Sequence, residues 1–454
     1  MAQPPASSRP FDVSHGRVLA IAGPMTLANL TTPLLGIVGT AIIGQLGQAH
    51  LLGAVAISAV VFDGIFWLFG FLRMGTVALT AQALGAGDGI EQRAVLLRAL
   101  LMAGAIGAAI IALQWPLAEA GYAVMGASEQ VTEAAKVYFY VRVWSAPFTL
   151  ANYAVLGWLI GQARTDLALG LQIIINIVNM AATALLVLVL DRGVAGAALG
   201  TLIAEGVGFA CGLLIAAWLL RGAIGLPRAI VLDRAKLVRM IAVNRDIMIR
   251  TAALITAFTF FTAQSARAGE TVLAANAVLH NLVLLSAFFL DGFATAAEQL
   301  CGRSVGARDP RAFGRAVKLS IGWGFVLALV VSAVFATAGP WLIALMTASP
   351  EVQATARQYL VFAALAPIAG VFAYSYDGIF IGATWTRDMR NLMLFSLALY
   401  FAGWWALESL GNTGLWLSIL IFLAARGGLQ ALRYPALVRA TFTPQASGAA
   451  VPRA

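Results

Sequence analysis

The sequence predicts an all-α polytopic membrane protein, with twelve transmembrane helices arranged as two pseudo-symmetric six-helix bundles. Three observations carry that expectation. Of 454 residues, 61% are hydrophobic and only 11% charged, whereas soluble domains carry roughly 25% charged residues. The apolar residues gather in runs of bilayer length. Motifs in the first half recur in the second at a constant offset.

The runs come first. Ala94–Gln114 holds Arg98 as its one charge, and Leu167–Leu190 holds none. A hydrocarbon core about 30 Å thick needs about 20 apolar helical residues. Runs of that length place spans at 17–43, 51–84, 94–117, 130–161, 167–190, 194–220, 245–267, 271–303, 312–338, 351–382, 389–407 and 412–433. The resulting organisation is an N-terminal tail (1–16), an N-lobe (17–220), a polar linker (221–244), a C-lobe (245–433) and a C-terminal tail (434–454). No cleavable signal peptide is expected in Met1–Arg17, which is polar and rich in Pro and Ser.

Lys and Arg placement orients the chain. With the N-terminus in the cytoplasm, about 23 of the 29 basic residues fall on the cytoplasmic side, Arg250 and Arg426 counted among them. Lys136, Arg192, Arg267 and Arg357 fall outside, while Arg73 and Arg142 lie within spans. Both termini are therefore expected in the cytoplasm, in a bacterial inner (plasma) membrane. This dispersal by topology accounts for the basic pI and argues against a nucleic-acid partner. Cys211 and Cys301 each sit in an apolar run, which gives neither a disulfide framework nor a metal site.

The repeat comes next. Gly85-Ala86-Gly87-Asp88 recurs as Gly306-Ala307-Arg308-Asp309, Met125…Tyr138 as Met346…Tyr359, and Gly157-x3-Gly161 as Gly378-x3-Gly382, all at one and the same offset. Six spans per half give the repeats the same topology, related by a pseudo-twofold along the membrane normal. Two such halves facing each other across a cavity is a transporter plan.

Polar residues inside spans are costly and so informative. Asn29, Gly36 and Thr40 share a face of span 1. Arg142, Ser145, Thr149 and Asn152 share one of span 4, and Gln172, Asn176, Asn179 and Thr183 one of span 5. Each stripe reads either as hydrogen-bonding glue between helices or as the lining of a wet cavity. Three stripes in one lobe favour the cavity, and Tyr374 in span 10 is added to the lining. In span 8, His280, Asp291 and Glu298 fall within about 20° of one line along about 27 Å of helix, which suits a proton relay. Asp377, Asp63 and Glu205 are the other intramembrane acids, with Arg73 and Arg142 as candidate partners. Pro24 and Pro33 interrupt span 1. Span 2, about 34 residues long with Gly64, Gly70 and Gly75, is expected to tilt or bend.

These residues also carry a resemblance. Ala22–Asn29 with Pro33–Thr40, Phe71–Met74 with Thr80–Gly85, Asn244–Met248, Asp291–Ala294 with Glu298, and Asp377–Ala383 are similar to the multidrug and toxic compound extrusion (MATE) transporters, DinF-like branch, over residues 17–435. The resemblance implies two six-helix lobes and export of cationic and amphipathic organic compounds in exchange for H⁺ or Na⁺. It implies a hinge at Pro24, which matches the proline where the family's first helix bends. The usual N-lobe acids are absent. Gly39 stands where the family's first span has Asp, and Thr183 stands where its fifth span has an acid. Ion coupling is therefore expected to have moved to Asp291, Glu298 and Asp377, with His280 a candidate.

The expected function is a secondary active exporter working by alternating access, coupled to H⁺ rather than Na⁺, needing no other cofactor and acting as a monomer. A lipid-linked precursor flippase and a carrier that has lost coupling remain alternatives. An enzyme is not expected: the chain has no metal-spaced His/Cys cluster, no Gly-x-Ser-x-Gly and no phosphate loop.

Overall fold

The computed structural model describes residues 12–443 apart from 224, with residues 32–34 described through their backbone alone. Most of the expected N-terminal tail, the end of the C-terminal tail and the ring of Pro33 lie outside the described residues. Within them the chain forms twelve helices long and apolar enough to cross a membrane, and no strand.

In the N-lobe the helices are α1 (His15–Gly44), α2 (Ala49–Leu68), α3 (Phe71–Gly85), α4 (Gly89–Ala112), α5 (Gln114–Met125), α6 (Glu129–Arg142), α7 (Ala146–Gly161), α8 (Thr165–Ala184) and α9 (Gly193–Leu219). A short α10 (Arg228–Val231) joins the halves. The C-lobe holds α11 (Arg234–Arg267), α12 (Glu270–Gly306), α13 (Pro310–Met346), α14 (Pro350–Gly382), α15 (Thr386–Leu407) and α16 (Asn412–Phe442). Helix α11 thus begins inside the stretch read as polar linker, and α16 runs beyond residue 434. Asp233 starts α11 by accepting the Lys236 amide at 3.0 Å. Arg98, buried in α4, ties the linker down through the carbonyls of Ile230 and Val231 at 2.7 and 2.9 Å.

Helix boundaries repeat with the motifs. Ala49 and Glu270, Gly89 and Pro310, Glu129 and Pro350, and Thr165 and Thr386 each open a helix, and every pair keeps the offset of the motifs. The repeated Gly-Ala-x-Asp segment is a complete helix-to-helix turn. Gly85 and Gly306 end α3 and α12, and Gly87 and Arg308 turn the chain with φ of +69° and +53°. Asp88 then accepts the Glu91 amide at 2.9 Å, and Asp309 those of Arg311 and Ala312 at 2.9 and 3.0 Å. These N-caps satisfy amides that a helix start leaves without partners.

The halves differ in helix continuity: α4 with α5 and α6 with α7 are broken where their repeats α13 and α14 are continuous, and span 2 shows the same contrast. Span 2 breaks at Phe69–Gly70 between α2 and α3, whereas its repeat α12 is continuous. Helix α1 continues through Pro24. Large apolar side chains stay exposed around the bundle, and Trp115, Trp218, Trp341 and Trp405 are each more than 60% exposed, as expected of a surface that meets lipid.

The lobes meet most tightly on the side where α1 begins and α16 ends. A Cβ on Gly85 would lie 2.0 Å from the Arg303 carbonyl oxygen, and one on Gly306 1.9 Å from that of Gln82. Only glycine permits that crossing of α3 and α12. The Gln82 side chain donates to Gly382 O at 2.9 Å and Thr384 Oγ1 at 3.2 Å, and accepts from Arg239 at 2.7 Å. At the other end of α1, hypothetical Cβ atoms on Gly36, Gly39 and Gly44 would meet nothing within 4 Å among the described residues.

Candidate functional site

The C-lobe buries an ion cluster on three helices. Asp377 of α14 accepts from Arg250 of α11, from Arg426 Nη2 of α16 at 2.6 Å and from Gln430 Nε2 at 2.9 Å. Both guanidiniums meet the same carboxylate oxygen, Oδ2. Arg426 also stacks over the Phe422 ring at 5.4 Å. Even so, Arg426 Nε and Nη1, Arg250 Nε and Gln430 Oε1 are buried without a hydrogen-bond partner among the described residues. Tyr374, one turn before Asp377 on α14, lies in electrostatic range of Arg426, Asp377, Asp291 and Arg250.

Arg250 and Arg426 correct the sequence reading. Both were counted as cytoplasmic charge, yet they are only 7% and 2% exposed inside the bundle. They fall within spans 7 and 12, which was the available signal. A second signal lay in the repeat: at the shared offset, Arg250 is the counterpart of Asn29 and Arg426 that of Glu205. Asp377, expected to take part in ion coupling, is engaged by two arginines.

Between the lobes, Asp291 of α12 accepts from Asn29 Nδ2 of α1 at 3.0 Å and pairs with Arg73 of α3 at 3.5 Å. This bridge is about one-third exposed on each partner. Gly70, at the break before α3, is the repeat counterpart of Asp291, and Arg73 follows it by about one helical turn. Glu298, two turns along α12, is 5% exposed, and its Oε1 has no hydrogen-bond partner among the described residues. Arg73, Asp291 and Arg250 are the charges within electrostatic range of it.

His280 does not join these acids. Eleven residues of helix separate it from Asp291, about 16 Å. Its ring sits instead among Phe258, 5.0 Å between centroids, Phe261 at 6.2 Å, Trp416 and Leu423. Alignment on a helix face gave it the right azimuth, but the wall there is aromatic. The span 8 line is therefore two acids and a separate histidine.

In the N-lobe the polar stripes are knitted by neutral hydrogen bonds. Gln172 donates to Asn176 at 3.2 Å, Asn176 to Thr31 at 2.7 Å, Asn179 to Thr201 at 3.1 Å and Thr183 to Asn179 at 3.4 Å. Asn176, Asn179 and Thr183 are all under 9% exposed, so in this conformation they join α1, α8 and α9 rather than line open space. Thr183 also packs against Gly200, whose Cβ would fall 2.5 Å from the hydroxyl. Gly39 differs, since a side chain there would meet open space.

The acids of the N-lobe lie elsewhere. Asn152 of α7 donates to Glu205 Oε2 of α9 at 2.7 Å and to its carbonyl at 3.0 Å. Arg142 lies over the Phe62 ring at 5.0 Å and in electrostatic range of both Asp63 and Glu205. Tyr153, the repeat counterpart of Tyr374, is in range of Glu205, Arg73, Asp63 and Arg142.

Comparison with known proteins extends this geometry. The family model described as MatE matches residues 24–185 and 247–403. The chain is 39% identical over 411 residues to the DNA damage-inducible protein F of Escherichia coli K12, covering 90% of this chain and 89% of that one. It is 27% identical over 432 residues to the probable multidrug resistance protein NorM of Caulobacter vibrioides, with the same coverage. A multidrug resistance MATE family transporter solved in an outward-facing conformation superposes with a TM-score of 0.82 at 21% identity, over 94% of this chain and 96% of the other. A MATE protein in a bent conformation gives 0.83 over 94% and 95%.

Proposed function

This chain belongs to the MatE family of multidrug and toxic compound efflux transporters, and from that premise we propose that it exports amphipathic organic compounds by alternating access in exchange for protons taken up at Glu298. The protein is a multi-pass membrane transporter and not an enzyme. The proposed setting is the bacterial inner membrane with both termini in the cytoplasm. The contact of α3 with α12 on the termini side then closes the cytoplasmic path and leaves the external one open.

The observation that carries the coupling site is that buried Glu298 has no hydrogen bond to Oε1 and no ion pair among the described residues. Five acids, Asp63, Glu205, Asp291, Glu298 and Asp377, lie at membrane depth with four arginines, Arg73, Arg142, Arg250 and Arg426. Asp377 is doubly paired, Asp291 is bridged to Arg73, and Glu205 is held by Asn152. Of the five, Glu298 alone combines deep burial with a carboxyl oxygen that has no hydrogen bond. An unpaired carboxylate in such surroundings is costly, and a proton removes the cost. Competition between that proton and substrate for one protein state gives exchange. A lone carboxyl suits H⁺ better than Na⁺, which takes several oxygen donors at once.

The test uses purified protein in liposomes loaded with a fluorescent amphipathic cation. A pH gradient, then separately a Na⁺ gradient, is imposed on wild type and on Glu298→Gln. Efflux driven by ΔpH should fall at least tenfold in the variant, while substrate binding is retained. Full ΔpH-driven efflux by Glu298→Gln overturns the assignment, and wild-type movement that ignores both gradients makes the protein an uncoupled carrier.

A further inference from the structure

We propose that Thr165 is a positioning residue for transport: its hydroxyl takes up the Ala20 carbonyl that Pro24 leaves without a helical donor, and this bond holds α1 on the N-lobe where Thr26 and Asn29 meet α12. The inference rests on the export reading for its part in transport and on the α1 backbone for its chemistry.

A proline has no amide hydrogen, so a helix that runs through it loses the bond to the carbonyl four residues back. Helix α1 runs through Pro24, and the carbonyl four residues back is that of Ala20. Gly23 stands just before, so the two weakest helix formers are adjacent and this stretch of α1 depends on outside support. Another helix supplies it. Thr165, the first residue of α8, donates its Oγ1 hydrogen to Ala20 O at 3.2 Å. Thr165 is only 4% exposed, and a buried hydroxyl itself needs a partner. One bond meets both needs.

The repeat supplies the control. Thr386 is the counterpart of Thr165, opens α15 and is as deeply buried. The counterpart of Pro24 is Arg245, which keeps its amide hydrogen, and α11 runs unbroken from Arg234 to Arg267. There the threonine donates to the Asp246 carboxylate at 3.4 Å. The same residue at the same place thus reaches a backbone carbonyl in the lobe that has the proline and a side chain in the lobe that lacks it.

The place of the bond along α1 gives it a role. Just beyond Pro24 the helix is tied to the C-lobe. Thr26 donates to Phe289 O at 3.4 Å, and Asn29 donates to Phe288 O at 3.4 Å and to Asp291 Oδ2 at 3.0 Å. Gly292 packs so closely there that a Cβ on it would lie 2.0 Å from Thr26 Oγ1. Nine residues separate Ala20 from Asn29, about 14 Å of helix. Movement of α1 at Ala20 is therefore carried to the contact between Asn29 and Asp291, and Thr165 acts on that contact through α1.

The test is amide hydrogen exchange by mass spectrometry on the full chain in nanodiscs, read over Val18–Met25. Thr165→Val, which keeps the shape and removes the donor, should speed exchange there about tenfold. Thr165→Ser should stay within twofold of wild type. In a Pro24→Ala background the helix regains its own donor, so adding Thr165→Val should change exchange by less than twofold. A Thr165→Val protein that folds only together with Pro24→Ala gives the same answer. No effect of Thr165→Val in the native background overturns the proposal, as does an equal effect in the Pro24→Ala background or a Thr165→Ser variant as fast as Thr165→Val. In liposomes, efflux driven by ΔpH should fall about fivefold in Thr165→Val and persist in Thr165→Ser, and full efflux by Thr165→Val overturns the part in transport. Wild-type protein that moves no substrate would sink the export reading, while the exchange measurements would still decide whether Thr165 answers Pro24.

Discussion

The two lobes share span starts and turns and differ in interior chemistry. Their helices open at positions related by one offset, and their turns use the same Gly-Ala-x-Asp segment. Yet Asn29, Glu205 and Leu156 of the N-lobe stand where Arg250, Arg426 and Asp377 stand in the C-lobe. Helix ends and close crossings obey geometric limits that any copy of the fold must meet. Interior charges obey only local balance, and each lobe has found its own. The N-lobe balances with amides and hydroxyls, the C-lobe with an ion cluster.

The sharpest way to break that contrast is to remove the hub of the C-lobe. Asp377→Asn leaves Arg250 and Arg426 facing each other without their shared carboxylate. Loss of one partner of a buried pair costs about 3–5 kcal/mol. The matching N-lobe change, Asn152→Ala, removes its hydrogen bond to Glu205 and costs about 1 kcal/mol. Thermal unfolding in detergent should therefore show a Tm loss several times larger for Asp377→Asn. Similar losses would mean that the C-lobe cluster is hydrated and holds little of the fold.

Where the lobes are alike, matched changes should give matched effects. Gly157 lies against the Arg73 carbonyl, with a Cβ-to-oxygen distance of 2.4 Å, and Gly378 lies against that of Ala294 at 2.1 Å. Arg73 and Ala294 are themselves repeat counterparts. A methyl at either place forces two helices to separate, an overpacking cost of about 1–3 kcal/mol. Gly157→Ala and Gly378→Ala should lower Tm by amounts equal within error. A loss confined to one would show that the crossing is rigid in one lobe and pliant in the other.

The same distinction explains what could be read in the sequence. The twelve spans, the repeat and the tight glycines were legible because length, hydropathy and small residues at fixed spacing are local properties. Asp291 and Glu298 were legible as acids on one helix face. Their partners were not, because Asn29 and Arg73 reach Asp291 from the other half of the chain. Arg250 and Arg426 were hidden by their nearness to span ends, where a long cation is expected to reach water. His280 was misjoined because a helical wheel gives direction and not what stands opposite. The stripe of Gln172, Asn176, Asn179 and Thr183 was legible as polar, but glue and lining share one pattern, and burial decides between them.

The smallest expected effect concerns the contact between the lobes. Gln82 joins α3 to the end of α14 and to α11 through three hydrogen bonds, on Gly382 O, Thr384 Oγ1 and Arg239. All three span the N-lobe and C-lobe, so they exist only while the termini side is closed. Gln82→Ala removes them and leaves the glycine crossings at Gly85 and Gly306 intact. At part-exposed positions water replaces most of what is lost, so the net change is about 1 kcal/mol, a shift of about fivefold in a two-state equilibrium. Spin labels on the two lobes near that side should show the more open distance rising about fivefold in population. Stability should barely move, because the bonds lie between lobes and not within them. An unchanged distance distribution would assign closure to the α3–α12 crossing alone, and the glycines would then be the place where the two halves control each other.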